Sequence, residues 1–523
     1  MVSTARAGFG MEAEKIFKAK AIVTAPGAPD AYSLAVKRGR VAAVDVEGRE
    51  DFARAGVPVV DFGDAVMMPG LWDAHVHLLS TGLALREVDL SGARRLADVL
   101  ELVRENAPGA DEILMCAGLD DSRLTEGRLP TGAELDGASP ARPVAVTRVD
   151  YHTLVVNAAA WPRFGLDPSW PGVELDADGR PTGVLRGRAN ELARAKIRGR
   201  LDAATKAAAY RDGAALAASR GVVALCTLEG GQISGGEDVR VLLECRGRLP
   251  VETFVFPQVT SATTARELAL PRLGGCLLVD GSIGSWTAAL SEPYADKPAT
   301  RGELYFADDD LNALVMTAHA AGLQVALHAI GDRAVSQVLD AYGVAAYEHP
   351  RDDCRHRVEH AELVSDRDLA RAAELGVIFS VQPAFEWFWG GPGKLYESRL
   401  GERRRRTNRL RSTLAAGVAL AGGSDSNITP INPLLGIAAA TNHPTEEERL
   451  SFDDALAMFT LGAAASVFAE DDWGTLSPGK WASFTVVARD PRELAAAELA
   501  DAEVVATVVK GKFTYRKDGT AGL

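Results

Sequence analysis

Along the middle of the chain, short apolar runs of strand length take turns with amphipathic stretches of helix length. A helix over Ala203–Ser219 precedes a strand at Val222–Thr227, and a helix over Glu237–Arg246 precedes a strand at Val251–Phe256. Strand Cys276–Asp280, helix Asp310–Ala321, strand Gln324–His328, helix Arg333–Ala346 and strand Arg357–His360 follow. Helix Asp366–Leu375, strand Val377–Val381, helix Thr407–Ala416 and strand Val418–Ser424 complete the series. This alternation predicts parallel strands with helical crossovers. One earlier apolar run, Ala65–Met68, leads into Pro69-Gly70 and brings the strand count to eight. Eight such units predict an α/β fold of the (β/α)8 TIM-barrel type.

The two ends of the chain have another texture. Short β-rich runs lie at Ala19–Thr24, Ser33–Lys37, Arg40–Val44 and Val57–Val60, and again at Ser483–Val487 and Val504–Tyr515. Neither end carries enough apolar surface to stand alone. They are expected to pair as one composite small β-domain (residues 1–66 and 471–523) beside a barrel domain (67–470). The helical pattern Leu96–Glu105 and the strands Ile113–Ala117 and Pro143–Arg148 are surplus to the eight. They are assigned to an insertion, residues 81–200, after the first barrel strand.

Composition narrows the partners. With a net charge of −14 over 523 residues, nucleic acid is not an expected partner. The run Arg403-Arg404-Arg405-Arg406 reads as a solvated helix face. No stretch of about 20 apolar residues is present to span a bilayer. The five cysteines are scattered and lack any CxxC pair, which points to a reducing compartment, so a cytoplasmic location is expected.

The chemistry gathers at strand ends. In extended backbone, His75 and His77 project to the same side, spaced to grip one metal ion. His328 and His360 end later strands, and Asp425 ends the last. Each alone reads equally well as a buried, hydrogen-bonded residue. Their shared placement points to the C-terminal face, where barrel enzymes collect catalytic groups. Imidazoles there would hold a divalent cation, zinc by ligand type, as one or two ions. Such an ion lowers the pKa of bound water towards about 7. Asp425 would ligate the metal and act as general base, then general acid.

Pro69-Gly70-x-x-Asp73-x-His75-x-His77, His328, His360 and Gly423-Ser424-Asp425 resemble the amidohydrolase superfamily. Several motifs are similar to its family 3 branch of YtcJ-like proteins and N-substituted formamide deformylases. They are Asp280-Gly281-Ser282-Ile283-Gly284, His328-Ala329-Ile330-Gly331-Asp332, Arg357-Val358-Glu359-His360-Ala361 and Gly474-Thr475-Leu476-x-Pro478-Gly479-Lys480. The likeness spans roughly Lys18 to Tyr515. It implies a divalent-metal hydrolase with a barrel, an insertion and a composite β-domain. Arg148-Val149-Asp150-x-His152 also matches, and places His152 in the insertion with an expected substrate contact. One position departs from the pattern. Many members of the branch carry, four residues before the aspartate of the DGS motif, a lysine; in related enzymes its carboxylated form bridges two metals. Here that position is Cys276. A thiolate is a soft metal ligand, and a free cysteine is as often a small buried residue; both readings stand.

Substrate choice is expected to rest on an aromatic stretch. After Gln382-Pro383 come Phe385, Trp387, Phe388 and Trp389, in a chain only 6% aromatic. With Gln382 and Trp286 they predict an apolar or aromatic substrate wall. The same stretch reads as a lid packing or as a subunit contact, the latter making a homodimer. The leading expectation is hydrolysis of a non-peptide C–N bond of a small molecule. Ester, lactone or carbamate hydrolysis, metal-dependent decarboxylation and a metal-less non-catalytic homologue are the alternatives.

Overall fold

At Pro69-Gly70 the chain passes from one sheet into another. The computed structural model describes residues 13–46, 57–108, 113–148, 153–230 and 236–517. Strands β1 (Lys15–Ile22), β2 (Ala31–Lys37), β3 (Arg40–Asp45), β4 (Val59–Asp61) and β5 (Val66–Pro69) come first. β6 (Leu71–Val76) continues directly from β5, and every residue of both is buried. A run so uniformly buried needs cover on both faces. Gly70, between them, has a steric reason to be glycine: a Cβ there would lie 2.4 Å from Cγ1 of Val223.

His152 lies outside the described residues. Between β6 and the next long strand come β7 (Val88–Asp89), β8 (Leu114–Leu119), β9 (Val144–Arg148), β10 (Thr153–Val156), β11 (Val173–Leu175) and β12 (Pro181–Arg186). Then follow β13 (Val222–Glu229), β14 (Glu252–Pro257), β15 (Arg272–Leu278), β16 (Gln324–Ala329), β17 (Arg357–His360), β18 (Ile378–Val381) and β19 (Ala419–Gly422). The chain closes with β20 (Phe484–Val487), β21 (Val504–Val509) and β22 (Lys512–Arg516). The helices of this region include α1 (Asp308–Ala320), α2 (Asp332–Glu348), α3 (Ala384–Trp389) and α4 (Pro433–Thr441).

The chain is α/β and divides into two units. The first comprises Met1–Leu78, Ala214–Glu229 and Leu243–Leu523. Within it, both ends of the chain share one sheet, of order β22-β21-β20-β5-β1-β2-β3, with β4 on β1. They join where β20 runs antiparallel to β5, Val486 opposite Met67. Phe17 packs edge-on to Phe484, ring centroids 4.8 Å apart, in that sheet's core. The other strands of this unit are parallel and form two ladders, β14-β13-β6 and β15-β16-β17-β18-β19. A parallel bridge from Val76 to Ser426 links β6 to the segment after β19, and Asp425 N–H donates to His75 O at 2.8 Å. Acidic Asp308, Asp309 and Asp310 open α1, where the helix dipole favours negative charge.

The second unit comprises Leu79–Gly213 and Gly230–Leu242. Its sheet runs β11-β12-β10-β9-β8-β7. Side chains alternate between two apolar layers: Val144, Val146, Val155 and Val184 enter one, and Ala145, Leu154, Val156 and Leu185 the other. Both faces are therefore covered, which explains apolar runs without polar alternation. Among the described residues no helix is long and apolar enough to cross a membrane.

Gly70→Ala is expected to destabilise the protein by about 1–3 kcal/mol, the usual range for overpacking a filled core. The denaturant midpoint measures this; an unchanged midpoint would refute the tight packing of Gly70 against Val223.

Candidate metal centre

Six side chains meet at the C-terminal ends of the parallel strands. His75 ends β6 and His77 follows it; Cys276 comes from β15, His328 from β16, His360 from β17 and Asp425 from just after β19. Their ligand atoms form three overlapping groups: His75, His77 and Cys276; Cys276, His328 and His360; His75, His360 and Asp425. Within each group the atoms lie within 4.8 Å of one another. Asp425 Oδ1 is 3.3 Å from Nε2 of both His75 and His77. Cys276 Sγ is 3.7 Å from His328 Nδ1. Cys276 belongs to two of the groups, so it stands between the two histidine pairs.

The tautomers follow from the outer partners. His75 Nδ1 meets Glu359 Oε2 at 2.7 Å, and His77 Nδ1 meets Leu228 O at 3.0 Å. His360 Nδ1 meets Gln382 Oε1 at 2.6 Å, and His328 Nε2 meets Gly281 O at 3.2 Å. Each of those partners only accepts, so the hydrogen sits on the outer nitrogen. The inner nitrogen of each neutral ring then carries a lone pair. These lone pairs are Nε2 of His75, His77 and His360 and Nδ1 of His328. Nε2 of His75 and of His360 are buried without a hydrogen-bond partner. Buried lone pairs converging on a thiol and a carboxylate suit a cation.

The remaining groups support that cradle. Arg357 donates to Glu359 through Nε at 2.8 Å, and to Ala74 O and Ser380 Oγ at 2.7 and 2.9 Å. A fully buried ion pair thereby holds His75 in place. Asp280 accepts backbone N–H groups of Ala289, Ile330 and Gly331, at 2.8, 2.9 and 2.8 Å, tying the loop after β15 to the loop after β16. Asp73 Oδ1 accepts from Ser424 N at 2.9 Å; burial pushes its carboxyl up to about 6. Burial opposes charge on Cys276, yet the four imidazoles around it, His328, His360, His75 and His77, bring its thiol well below the usual range. Burial also opposes charge on Asp425, but His75 and His77 hold it anionic, well below the usual carboxylate value. His360 and Asp425 adopt φ of +74° and +55°, a region unfavourable for side chains other than glycine and frequent at functional sites.

The expected substrate residues are placed as follows. Phe385, on α3, stacks on His360 with centroids 6.1 Å apart and planes 13° apart. Gln382 is fully buried; its Oε1 faces His360 and its Nε2 donates to Ser380 O at 3.3 Å, so its amide is engaged by the scaffold. Trp286 donates its indole N–H to Asp296 at 3.0 Å, and Arg399 lies 3.8 Å from its ring centroid. Trp387 is half-buried. Glu359, Arg357 and Asp280 carry roles that the sequence reading did not give them, although all lie inside motifs it singled out.

A further His/Cys group, His319, Cys354 and His356, does not offer free donors. Val325 N–H donates to His356 Nδ1 at 3.0 Å, so Nε2 carries the hydrogen and donates to His319 Nδ1 at 2.8 Å. His319 Nε2–H then donates to His349 O at 2.7 Å. Every ring nitrogen is used, in a neutral relay.

Comparison with known proteins places the chain in a family. A model of the amidohydrolase family matches residues 58–515. The putative amidohydrolase YtcJ of Bacillus subtilis (strain 168) is 30% identical over 513 residues, covering 90% of this chain and 92% of its own. The N-substituted formamide deformylase of Arthrobacter pascens is 26% identical over 535 residues, covering 94% and 96%. A crystal structure of an uncharacterized metal-dependent hydrolase from Pyrococcus furiosus superposes with a TM-score of 0.78 at 32% identity, covering 92% of this chain and 100% of that one.

The relay predicts a pH dependence. Burial pushes His356 down to about 3 and His319 below its ordinary value. Unfolding frees both to protonate near about 6.5. Their stabilisation is therefore present above pH about 6.5 and is lost as pH falls towards 3. Urea midpoints of His356→Gln should fall less steeply across that window than those of the unsubstituted protein, though from a lower value at pH 7. Parallel curves would refute the neutral relay.

Proposed function

Because this chain belongs to the amidohydrolase family, we propose that it is a metal-dependent hydrolase of a non-peptide C–N bond, amide or formamide in type. The observation that carries the proposal is the set of inward lone pairs on His75, His77, His328 and His360, fixed by their outer acceptors. His75, His77 and Asp425 would hold one ion and His328 and His360 a second, with Cys276 shared between them. Its membership of two ligand groups supports that assignment. Imidazole and thiolate together favour zinc. When bound, the metal supplies Lewis-acid activation of water and of the scissile carbonyl.

The chain's own residues do the rest. Asp425 Oδ1 faces His75 and His77, which leaves Oδ2 to take the proton of the attacking water. The same oxygen returns that proton to the departing nitrogen. Glu359, Gln382, Leu228 O and Gly281 O keep the four rings in register while charge changes at the centre. Phe385 and Trp389, with ring centroids 4.9 Å apart, supply an apolar wall next to His360. That wall fits an N-substituent that is aliphatic or aromatic, in keeping with the named activity of the Arthrobacter pascens relative. Trp286 and Trp387 are proposed to lie further along the same substrate path.

The scaffold proposed for this chemistry is a (β/α)8 barrel. Its support is the pair of parallel ladders, bridged from Val76 to Ser426. The composite β-domain of 1–66 and 471–523 and the insertion of 81–200 belong to the same proposal, as do a cytoplasmic location, a small-molecule substrate and a homodimeric assembly.

Asp425→Asn should lower kcat on N-substituted formamides by about 10²–10⁴-fold, the range for loss of a general acid–base. Its circular dichroism and thermal midpoint should stay close to those of the unsubstituted protein. A folded Asp425→Asn protein with full activity would refute the mechanism. Absence of turnover of any amide, formamide, ester or carbamate by the metal-loaded enzyme would refute the reaction class.

A further inference from the structure

Strand β15, which brings Cys276 to the centre, ends on a residue that the centre leaves unused. Leu278 is the last residue of β15 and is 39% exposed, whereas every residue of the neighbouring β16 is buried. Two features of the ladder fix the side it faces. Leu278 pairs with His328 in the parallel register, and residues opposite one another in a ladder point to the same face of the sheet. His328 turns to the centre, with Nδ1 3.7 Å from Cys276 Sγ. Alternation agrees: Cys276, two residues earlier, faces the centre, while Leu277 and Val279 turn into the apolar core behind the strand. Leu278 therefore stands beside His328 on the centre-facing side, open to solvent.

A single exposed leucine on a protein surface is ordinary. This one has company. Phe388 on α3 and Ile428, three residues after Asp425, are also large, apolar and exposed, and both follow the C-terminal ends of parallel strands. Ile428 N–H donates to Asp425 O at 2.7 Å, which ties it to the ligand-bearing segment. The ladder order β15-β16-β17-β18 puts His328 and His360 between Leu278 on one side and Phe385, which follows β18, on the other. The two imidazoles thus have an apolar group on each flank. A secondary amide is planar and trans, so its nitrogen substituent and its acyl chain point in opposite directions. With the nitrogen substituent on Phe385 and Trp389, the acyl chain runs towards Leu278.

We propose that Leu278 is a specificity-determining residue that contacts the acyl side of the substrate. The substrate class is then an N-substituted amide with apolar groups on both sides of the scissile bond, and acyl chains of several carbons are preferred over formyl. This rests on the hydrolase reading above and narrows its substrate.

Two phosphinates test this by binding alone. Their tetrahedral phosphorus stands in for the attacked carbonyl carbon, and a 2-phenylethyl group stands in for the nitrogen substituent. Methyl(2-phenylethyl)phosphinate and butyl(2-phenylethyl)phosphinate differ only in the group on the acyl side. Calorimetry on the full-length, zinc-loaded protein compares them. The butyl probe should bind at least about tenfold more tightly, since its three extra methylenes leave water against Leu278. Leu278→Ser should reduce that ratio to about threefold or less; the exposed position spares the fold. Val344→Ser removes an equally exposed apolar residue on α2 and should keep the ratio. Equal binding of the two probes overturns the proposal. So does a ratio that Leu278→Ser does not diminish, or one that Val344→Ser diminishes as much; all three leave the metal centre standing. If neither probe binds the zinc-loaded protein, the hydrolase reading falls and this proposal falls with it.

Discussion

The centre depends on one kind of contact: an acceptor behind each imidazole. Histidine has two nitrogens and, when neutral, one hydrogen, so fixing the hydrogen on the outer nitrogen aims a lone pair inwards. Four rings are fixed in this way by four different acceptors: a carboxylate, a side-chain amide and two backbone carbonyls. Without these partners each ring could turn or change tautomer, and the convergence on Cys276 and Asp425 would be lost. The costliest of the four is Glu359, a fully buried charge. It is tolerable only because Arg357, equally buried, neutralises it and finds further acceptors at Ala74 and Ser380. The Arg357–Glu359–His75 chain therefore links strands β6, β17 and β18 through polar contacts inside an apolar core.

The scaffold serves that arrangement. Parallel strands put the residues at their C-terminal ends side by side, so ligands far apart in sequence become neighbours. His360 and Asp425 take up left-handed backbone at the ends of their strands. Hydrogen bonds around them, including Asp425 N–H to His75 O and Ala361 N–H to Ala329 O, hold this geometry. Such conformations cost about 1–3 kcal/mol each and persist only where the surroundings over-determine them.

Much of this was legible in the sequence, for identifiable reasons. The parallel strands announce themselves as apolar runs between helical patterns, and the histidines stand out because they end such runs. β15 was harder: it begins at Arg272 rather than Cys276, because Gly274 and Gly275, at φ of +99° and +94°, break the apolar pattern of a strand. In the second unit only β8 and β9 were readable. β7 and β11 are too short to show a period, and β10 is apolar on both faces, so alternation gives no signal. The supporting roles of Glu359 and Gln382 could not be read. The contact between His75 and Glu359 spans 284 residues of sequence, and local pattern carries no information over that distance.

These four imidazoles, with Cys276 and Asp425, are proposed to hold metal. Elemental analysis of protein purified without added metal tests it most directly, comparing the unsubstituted chain with Cys276→Ala. About two zinc equivalents per chain are expected, falling towards one when the shared thiolate is removed. No bound metal in either protein, with none retained after incubation with zinc, would contradict it.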